Sequence, residues 1–78
     1  MQLIITKTAA KSLRKMPVAD ANAMIEKLEN FAATGEGDVT KLVGSEFYRL
    51  RHGQWRAIFE IVDDVIVLRV GHRREIYD

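Results

Sequence analysis

The sequence contains no cysteine and only one proline among its 78 residues. Without cysteine, the chain can form neither a disulfide framework nor a zinc site with thiolate ligands, which is consistent with a reducing compartment. The two histidines, His52 and His72, make a poor set of metal ligands. We therefore expect neither a metal ion nor a small-molecule cofactor.

Long apolar runs are also missing. No run approaches the roughly 18 residues of a membrane-spanning helix, and the opening MQLIITKTAAK lacks the basic segment and apolar stretch of a signal peptide. We therefore expect a soluble, cytoplasmic protein with no membrane partner. Residues 1–78, 47% of them apolar, are enough for one small domain with one core, which a bound partner would stabilise.

The net charge of +1 conceals an uneven distribution of basic residues. Every lysine lies in the first part of the chain, whereas every arginine except Arg14 follows residue 48. A planar guanidinium can bind phosphate through two parallel hydrogen bonds, which the point charge of lysine cannot do. The second half of the chain is therefore where we look for an anionic ligand.

The apolar pattern predicts an α+β fold, in which one strand and two helices precede three antiparallel strands. Residues 2–6 are β-branched, as is typical of a strand. A first helix follows a cap at Thr8, Pro17 interrupts the helical pattern, and residues 34–38 end the second helix. The apolar stripes comprise Ala9, Ala10 and Leu13 in the first helix and Ala21, Met24, Ile25, Leu28, Phe31 and Ala32 in the second.

In the second half of the chain the apolar period falls to two, and two-residue turns are predicted at residues 52–53 and 63–64. The alternation gives the sheet two faces. One is almost wholly apolar and is expected to pack under both helices, and the other carries four arginines. The predicted apolar face comprises Tyr48, Leu50, Ala57, Phe59, Ile61, Ile66, Leu68 and Val70, and the predicted arginine face Arg49, Arg51, Arg56, Ile58, Glu60, Val67, Arg69 and Gly71.

The predicted register places Arg49 directly opposite Arg56. Like charges across an antiparallel pair are destabilising, so this arrangement suggests that an anion binds there. Gly71 falls beside Arg56 on the third strand, and its missing side chain would leave a hollow among the arginines for a phosphate. Aromatic and basic residues after that strand would suit single-stranded RNA, whose bases stack on rings.

Four sequence motifs can be compared with known families. They are Lys-Leu-x-Gly from Lys41, Tyr-Arg-Leu-Arg from Tyr48, the later Arg56, and Val-Gly-His-Arg-Arg-x-x-Tyr from Val70. This half of the chain closely resembles the second half of RelE-family toxins of type II toxin-antitoxin systems. The first half is also similar to that family, although less distinctively, so the resemblance covers essentially the whole chain.

The resemblance implies a RelE-like fold and a ribosome-dependent endoribonuclease. Such an enzyme enters the decoding site and cleaves the bound messenger RNA, with the 2′-hydroxyl beside the scissile phosphate as nucleophile and without a metal. The partners expected from this are messenger RNA on the ribosome and a cognate antitoxin that folds as it binds. The resulting complex would be hetero-oligomeric.

The same resemblance assigns roles by position. Arg56 matches the arginine that stabilises the transition-state phosphate, Arg73 matches the one that protonates the leaving group, with Arg74 as a near alternative, and Tyr77 matches the tyrosine that stacks on a base. The expected RNA-binding set is Arg49, Arg51, Arg56, Arg69, Arg73, Arg74 and Tyr77.

Arg49 and Arg51 fall where the best-known members have paired lysines that accept the hydroxyl proton. Arginine stays protonated in proteins, so these residues are electrostatic clamps and poor proton acceptors. Glu60 or His72 could accept the proton, and the sequence leaves the choice open.

Two other functions fit the same sequence. ParE-like toxins share the fold but inhibit DNA gyrase, and they typically lack the Arg-Arg-x-x-Tyr ending that this chain has at residues 73–77. The other alternative is a non-catalytic module that binds RNA through the arginine face. Cleavage of ribosome-bound message, compared with binding alone, distinguishes the nuclease from this module.

Overall fold

The computed structural model describes residues 1–76 as a five-stranded sheet with two helices on one face. The strand order is β1-β5-β4-β3-β2, with β1 parallel to β5 and the other pairs antiparallel. This confirms the predicted α+β fold, although strand β2 was not predicted. The elements are β1 (Leu3–Ile5), α1 (Lys7–Lys15), α2 (Val18–Thr34), β2 (Val39–Lys41), β3 (Phe47–His52), β4 (Trp55–Val62) and β5 (Asp64–His72).

Helix α1 is capped by Thr6, and the predicted cap at Thr8 is therefore wrong. The Thr6 hydroxyl accepts a hydrogen bond from the Ala9 N–H at 3.3 Å and donates one to the Val67 carbonyl at 2.7 Å. Because β1 pairs with β5 as far as Ile5, the next residue is the first that can turn into a helix. The cap therefore also fastens the start of α1 to the sheet.

The core lies between the helices and one face of the sheet, which we call the helix face. Phe59 at its centre stacks on Tyr48 with ring centroids 5.5 Å apart and packs against Phe31 of α2 at 5.3 Å. Burial of these apolar side chains is the main force holding the layers together. Fully buried side chains of the core include Met24, Leu28, Leu50, Phe59, Val65 and Val67.

The turn between β3 and β4 consists of Gly53 and Gln54, so the predicted turn at residues 52–53 is wrong. Gly53 has φ +54°, and a two-residue hairpin loop with positive φ at its first position favours glycine there. The register consequently pairs His52 with Trp55 and differs by two residues from the prediction. A shift of two leaves every side chain on its predicted face.

The turn between β4 and β5 corrects a second prediction. Asp63 alone forms the turn, with φ +64°, and Val62 pairs with Asp64. This one-residue difference reverses the faces of residues 65–68, because side chains alternate along a strand. Val67 therefore lies in the core, whereas Ile66 and Leu68 lie on the opposite face, which we call the open face.

A β-bulge shifts the register between β4 and β5 at Ile58 and Phe59. From Arg69 to the end of β5, the pairing is again the predicted one. Beyond it, Arg69 pairs with Ile58 and Gly71 pairs with Arg56, as predicted. Within residues 1–76, neither helix combines the length and apolar character needed to cross a membrane.

Candidate functional site

Arg51 and Arg56 form the centre of the candidate site, directly opposite each other on β3 and β4. Opposed residues of antiparallel strands have Cα atoms about 5 Å apart, so two positive side chains leave the same part of the open face. The predicted pair of Arg49 and Arg56 is therefore wrong, and Arg49 lies opposite Ile58 instead. The conflict between like charges predicted from the sequence is present, but it involves Arg51.

The Arg56 side chain bends over the β3–β4 turn. Its Nη1 atom donates hydrogen bonds to the Gly53 carbonyl at 2.7 Å and to the Trp55 carbonyl at 3.0 Å. Desolvation lowers the pKa of Arg56 below its ordinary value, and the positive charges of Arg51, Arg49 and Arg73 lower it further. Since guanidinium groups remain protonated in proteins, the result is a concentrated positive charge. An anion placed here would relieve the repulsion.

The chain after β5 brings Arg73 to this centre. The Arg73 N–H donates to the Gln54 carbonyl at 2.7 Å, which places Arg73 beside the β3–β4 turn. We refer to Arg49, Arg51, Arg56 and Arg73 as the arginine cluster. Arg74 is exposed, and its backbone N–H donates to Nδ1 of His72 at 3.2 Å.

Arg69 lies on the open face of β5, two residues before Gly71, the partner of Arg56. It is exposed and pairs with Ile58 of β4. On its other side, Ile58 pairs with Arg49 of β3. Ile58 itself is only 7% exposed, although it faces away from the helices. Arg69 and Arg49 therefore flank an apolar side chain.

The predicted hollow at Gly71 is filled. A Cβ atom built at Gly71 would lie 3.1 Å from Cγ1 and 3.3 Å from Cδ1 of Ile76, so the Ile76 side chain covers this position. Ile76 is buried, with the backbone turn after His72 bringing it back over the strand. The glycine therefore accommodates an apolar side chain, and the space predicted for a phosphate is occupied.

The two proposed proton acceptors do not join the arginine cluster. Glu60 lies on the open face opposite Phe47, four residues from Arg56 and thus about 13 Å away along β4. His72 pairs with Trp55, and their rings meet edge to face with centroids 5.5 Å apart. Trp55 packs against the core, so this contact places the His72 ring on the helix-face side.

Tyr77, predicted to stack on a base, lies outside the described residues. Among residues 1–76, no three His, Asp or Glu side chains converge as metal ligands.

Two side-chain contacts, one at the arginine cluster and one between β3 and α2, were missed by sequence reasoning. Asp38 accepts a hydrogen bond from Nε of Arg51 at 3.0 Å, and Nε2 of His52 lies 3.2 Å from a carboxylate oxygen of Asp20 on α2. Asp38 lies in a segment that the sequence identified only as a helix terminator. His52 was assigned to a turn, and only the corrected register places it within β3.

Comparison with known proteins identifies the family. A sequence model described as the ParE toxin of the type II toxin-antitoxin system parDE matches residues 3–77. Toxin RelE3 of Methanocaldococcus jannaschii is 32% identical over 85 residues, an alignment that covers 100% of this chain and 97% of that protein.

Solved structures agree with this result. In the RelB-RelE antitoxin-toxin complex of Methanococcus jannaschii, one chain superposes with a TM-score of 0.79 and 28% identity, covering 96% of this chain and 95% of that one. The archaeal RelE-RelB complex of Pyrococcus horikoshii gives a TM-score of 0.72 and 28% identity, with coverage of 96% and 97%. The chain therefore belongs to the RelE/ParE superfamily and is a toxin of a type II toxin-antitoxin system, of the RelE type.

Proposed function

We propose that this toxin is a metal-independent, ribosome-dependent endoribonuclease that cleaves messenger RNA in the decoding site and so inhibits translation. The observation that best supports it is the position of Arg56, whose guanidinium is surrounded by the positive charges of Arg51, Arg49 and Arg73. Such a cluster attracts the phosphates of RNA and is preorganised for a phosphate that gains negative charge in the transition state. Its position on the open face leaves it accessible to a strand of RNA.

The chemistry proposed is an in-line transesterification. The 2′-oxygen attacks the adjacent phosphorus as its proton passes to water or to a group of the ribosome, the bond from phosphorus to the 5′-oxygen breaks, and a 2′,3′-cyclic phosphate forms. The departing oxygen takes up one proton, for which Arg73 is the candidate donor by position, with Arg74 as the alternative. Arg51 and Arg56 stabilise the phosphorane through charge, and Tyr77 is the candidate for stacking on a base.

We expect neither Glu60 nor His72 to be essential for proton transfer, because the structure separates both from Arg56. Glu60→Gln and His72→Gln proteins should each cleave at close to the parental rate in single-turnover assays on programmed ribosomes. The pH dependence of their rates should also be unchanged. A large loss of rate in either variant, with RNA binding intact, would identify that residue as a participant.

The proposed activity is tested directly in a translating extract. The purified toxin should generate new messenger 5′ ends, detected by primer extension, only when the messenger is being translated. Naked messenger should remain intact. Binding of RNA without any new 5′ end would favour the non-catalytic module.

A second candidate function, inhibition of DNA gyrase, is favoured by the description of the matching family as ParE toxins. The two activities are separated by one further assay, in which gyrase supercoils relaxed plasmid in the presence of the toxin. Inhibition of supercoiling, with no cleavage of translated messenger, would favour the gyrase inhibitor over the nuclease.

We also propose a cognate antitoxin as the partner. Support comes from the similar RelE chains solved as complexes with RelB, and from exposed apolar side chains on the open face, including Phe47 and Ile4. A segment that is both amphipathic and acidic could cover these residues and offset the charge of the arginine cluster. We expect the product of an adjacent gene to co-purify with the toxin and to suppress its toxicity. Failure on both counts would contradict this partner.

A further inference from the structure

Asp38 is placed at the arginine cluster by both its backbone and its side chain. Its carbonyl accepts a hydrogen bond from the Arg51 N–H at 3.1 Å, which joins the chain just before β2 to the end of β3. Its carboxylate accepts a second hydrogen bond, from Nε of Arg51, at 3.0 Å. Both side chains are 55% exposed, so the ion pair is open to solvent and to other anions.

Asp38 adds an acidic side chain next to the central pair of arginines. Arg56 faces Arg51, and Arg51 in turn meets Asp38 on the other side. Among residues 1–76, Asp38 is the acidic group whose field opposes the arginines in setting the pKa of Arg56. The chain thus supplies an internal anion where opposed arginines would otherwise repel each other most strongly.

We propose that Asp38 is a built-in competitor of the RNA phosphate, a carboxylate that engages Arg51 in the free toxin and sets how tightly the arginine cluster binds the RNA backbone. This rests on the proposed function, in which a phosphate binds at Arg51 and Arg56. Asp38 holds the Nε donor of Arg51 and leaves its Nη donors open, so a phosphate meets a guanidinium whose charge is already partly offset.

Replacing the Asp38 carboxylate by a phosphate at Arg51 should cost little free energy. An exposed ion pair contributes little to stability, since water and salt screen it and ordering of its side chains opposes it. A phosphodiester can instead contact Arg51 and Arg56 together. Removing the carboxylate should therefore tighten RNA binding by about two- to fivefold, the factor that corresponds to the strength of a well-formed exposed pair.

Asp38→Asn tests this proposal, with Glu36→Gln as the matched control. Both substitutions remove one negative charge from the same loop, but only Asp38 contacts an arginine of the cluster. The probe is a fluorescently labelled single-stranded RNA with 2′-O-methyl sugars, which bind but cannot be cleaved. Its affinity for each full-length protein is measured by fluorescence anisotropy at low and at high ionic strength.

The proposal predicts opposite changes in two measurements. D38N should bind the RNA about two- to fivefold more tightly than the parent, with a smaller difference at high salt. It should also unfold at a lower urea concentration, because the repulsion between Arg51 and Arg56 is no longer offset. E36Q should show neither change to the same degree. If Asp38 had a purely structural role, the D38N substitution would lower both the stability and the RNA affinity of the protein.

Several results would overturn the proposal. These are unchanged or weaker binding by D38N, equal tightening by E36Q, and no detectable binding of the RNA by any of the three proteins. A lower cleavage rate in D38N with unchanged binding would instead give Asp38 a role in the cleavage step. If the parent fails to cleave translated messenger while D38N still binds RNA more tightly, the nuclease proposal fails and the competition stands.

Discussion

Arg56→Ala is expected to abolish growth inhibition while the protein remains folded. The Arg56 guanidinium lies on the open face, outside the core, and its two hydrogen bonds go to carbonyls at a surface turn that water can replace. Loss of one preorganised group that stabilises transition-state charge typically lowers a rate by about 10²- to 10³-fold. We expect a loss of at least this size in single-turnover cleavage.

The matched control for this substitution is Arg14→Ala. Arg14 is an exposed arginine in the last turn of α1, and its removal changes the net charge equally. Toxicity should be measured by induced expression in cells, and folding by circular dichroism of the purified proteins. A folded R56A protein that still arrests growth would show that the site lies elsewhere. An equal loss of toxicity in R14A would show that toxicity depends on the net charge of the protein and not on the position of Arg56.

Of the substitutions proposed for this protein, Leu50→Ala should cause the largest loss of stability. Leu50 is fully buried in the core, where it pairs with Ala57 on one side and Val39 on the other. Truncating a buried leucine to alanine usually costs about 2–5 kcal/mol, because apolar burial is lost and a cavity remains. The total stability expected of a chain this short is only about 4–12 kcal/mol. The variant should therefore lose a large share of the toxin's stability.

Urea unfolding of the purified proteins measures this cost. Val43→Ala provides the comparison, since Val43 is an aliphatic residue whose side chain is fully exposed, and its truncation should change stability by less than about 0.5 kcal/mol. A loss below about 1 kcal/mol in L50A would mean that the core can close around the missing atoms. The antitoxin, if bound, should partly restore the folded population.

The sequence determined which residues face which way along most of the sheet. In β3 and β4 the alternation correctly separated Leu50, Ala57 and Phe59 from Arg49, Arg51 and Arg56. It also identified α2 as an amphipathic helix, because one stripe of side chains at offsets of three and four can cover a sheet. These features depend only on local periodicity, which a single sequence contains.

Register, in contrast, was decided by tertiary structure and turn geometry. A pattern with a period of two is unchanged by a shift of two residues, so it could not tell whether Arg49 or Arg51 lies opposite Arg56. The positive φ at Gly53 places the turn at residues 53–54, and Arg51 therefore lies opposite Arg56. At Asp63 a one-residue turn reversed the faces of residues 65–68, and the bulge then restored the register.

The composition of the site also required the folded chain. Arginine-rich strands predicted a cationic face, because their side chains alternate with the apolar ones. Only tertiary structure brings Asp38 to Arg51 and Ile76 to Gly71, since each pair joins an irregular segment to a strand and no periodicity relates them. The sequence therefore determined that the open face is positively charged. The fold decided that Asp38 meets Arg51 and that Ile76 fills the space beside Gly71, because both contacts join segments that meet only after folding.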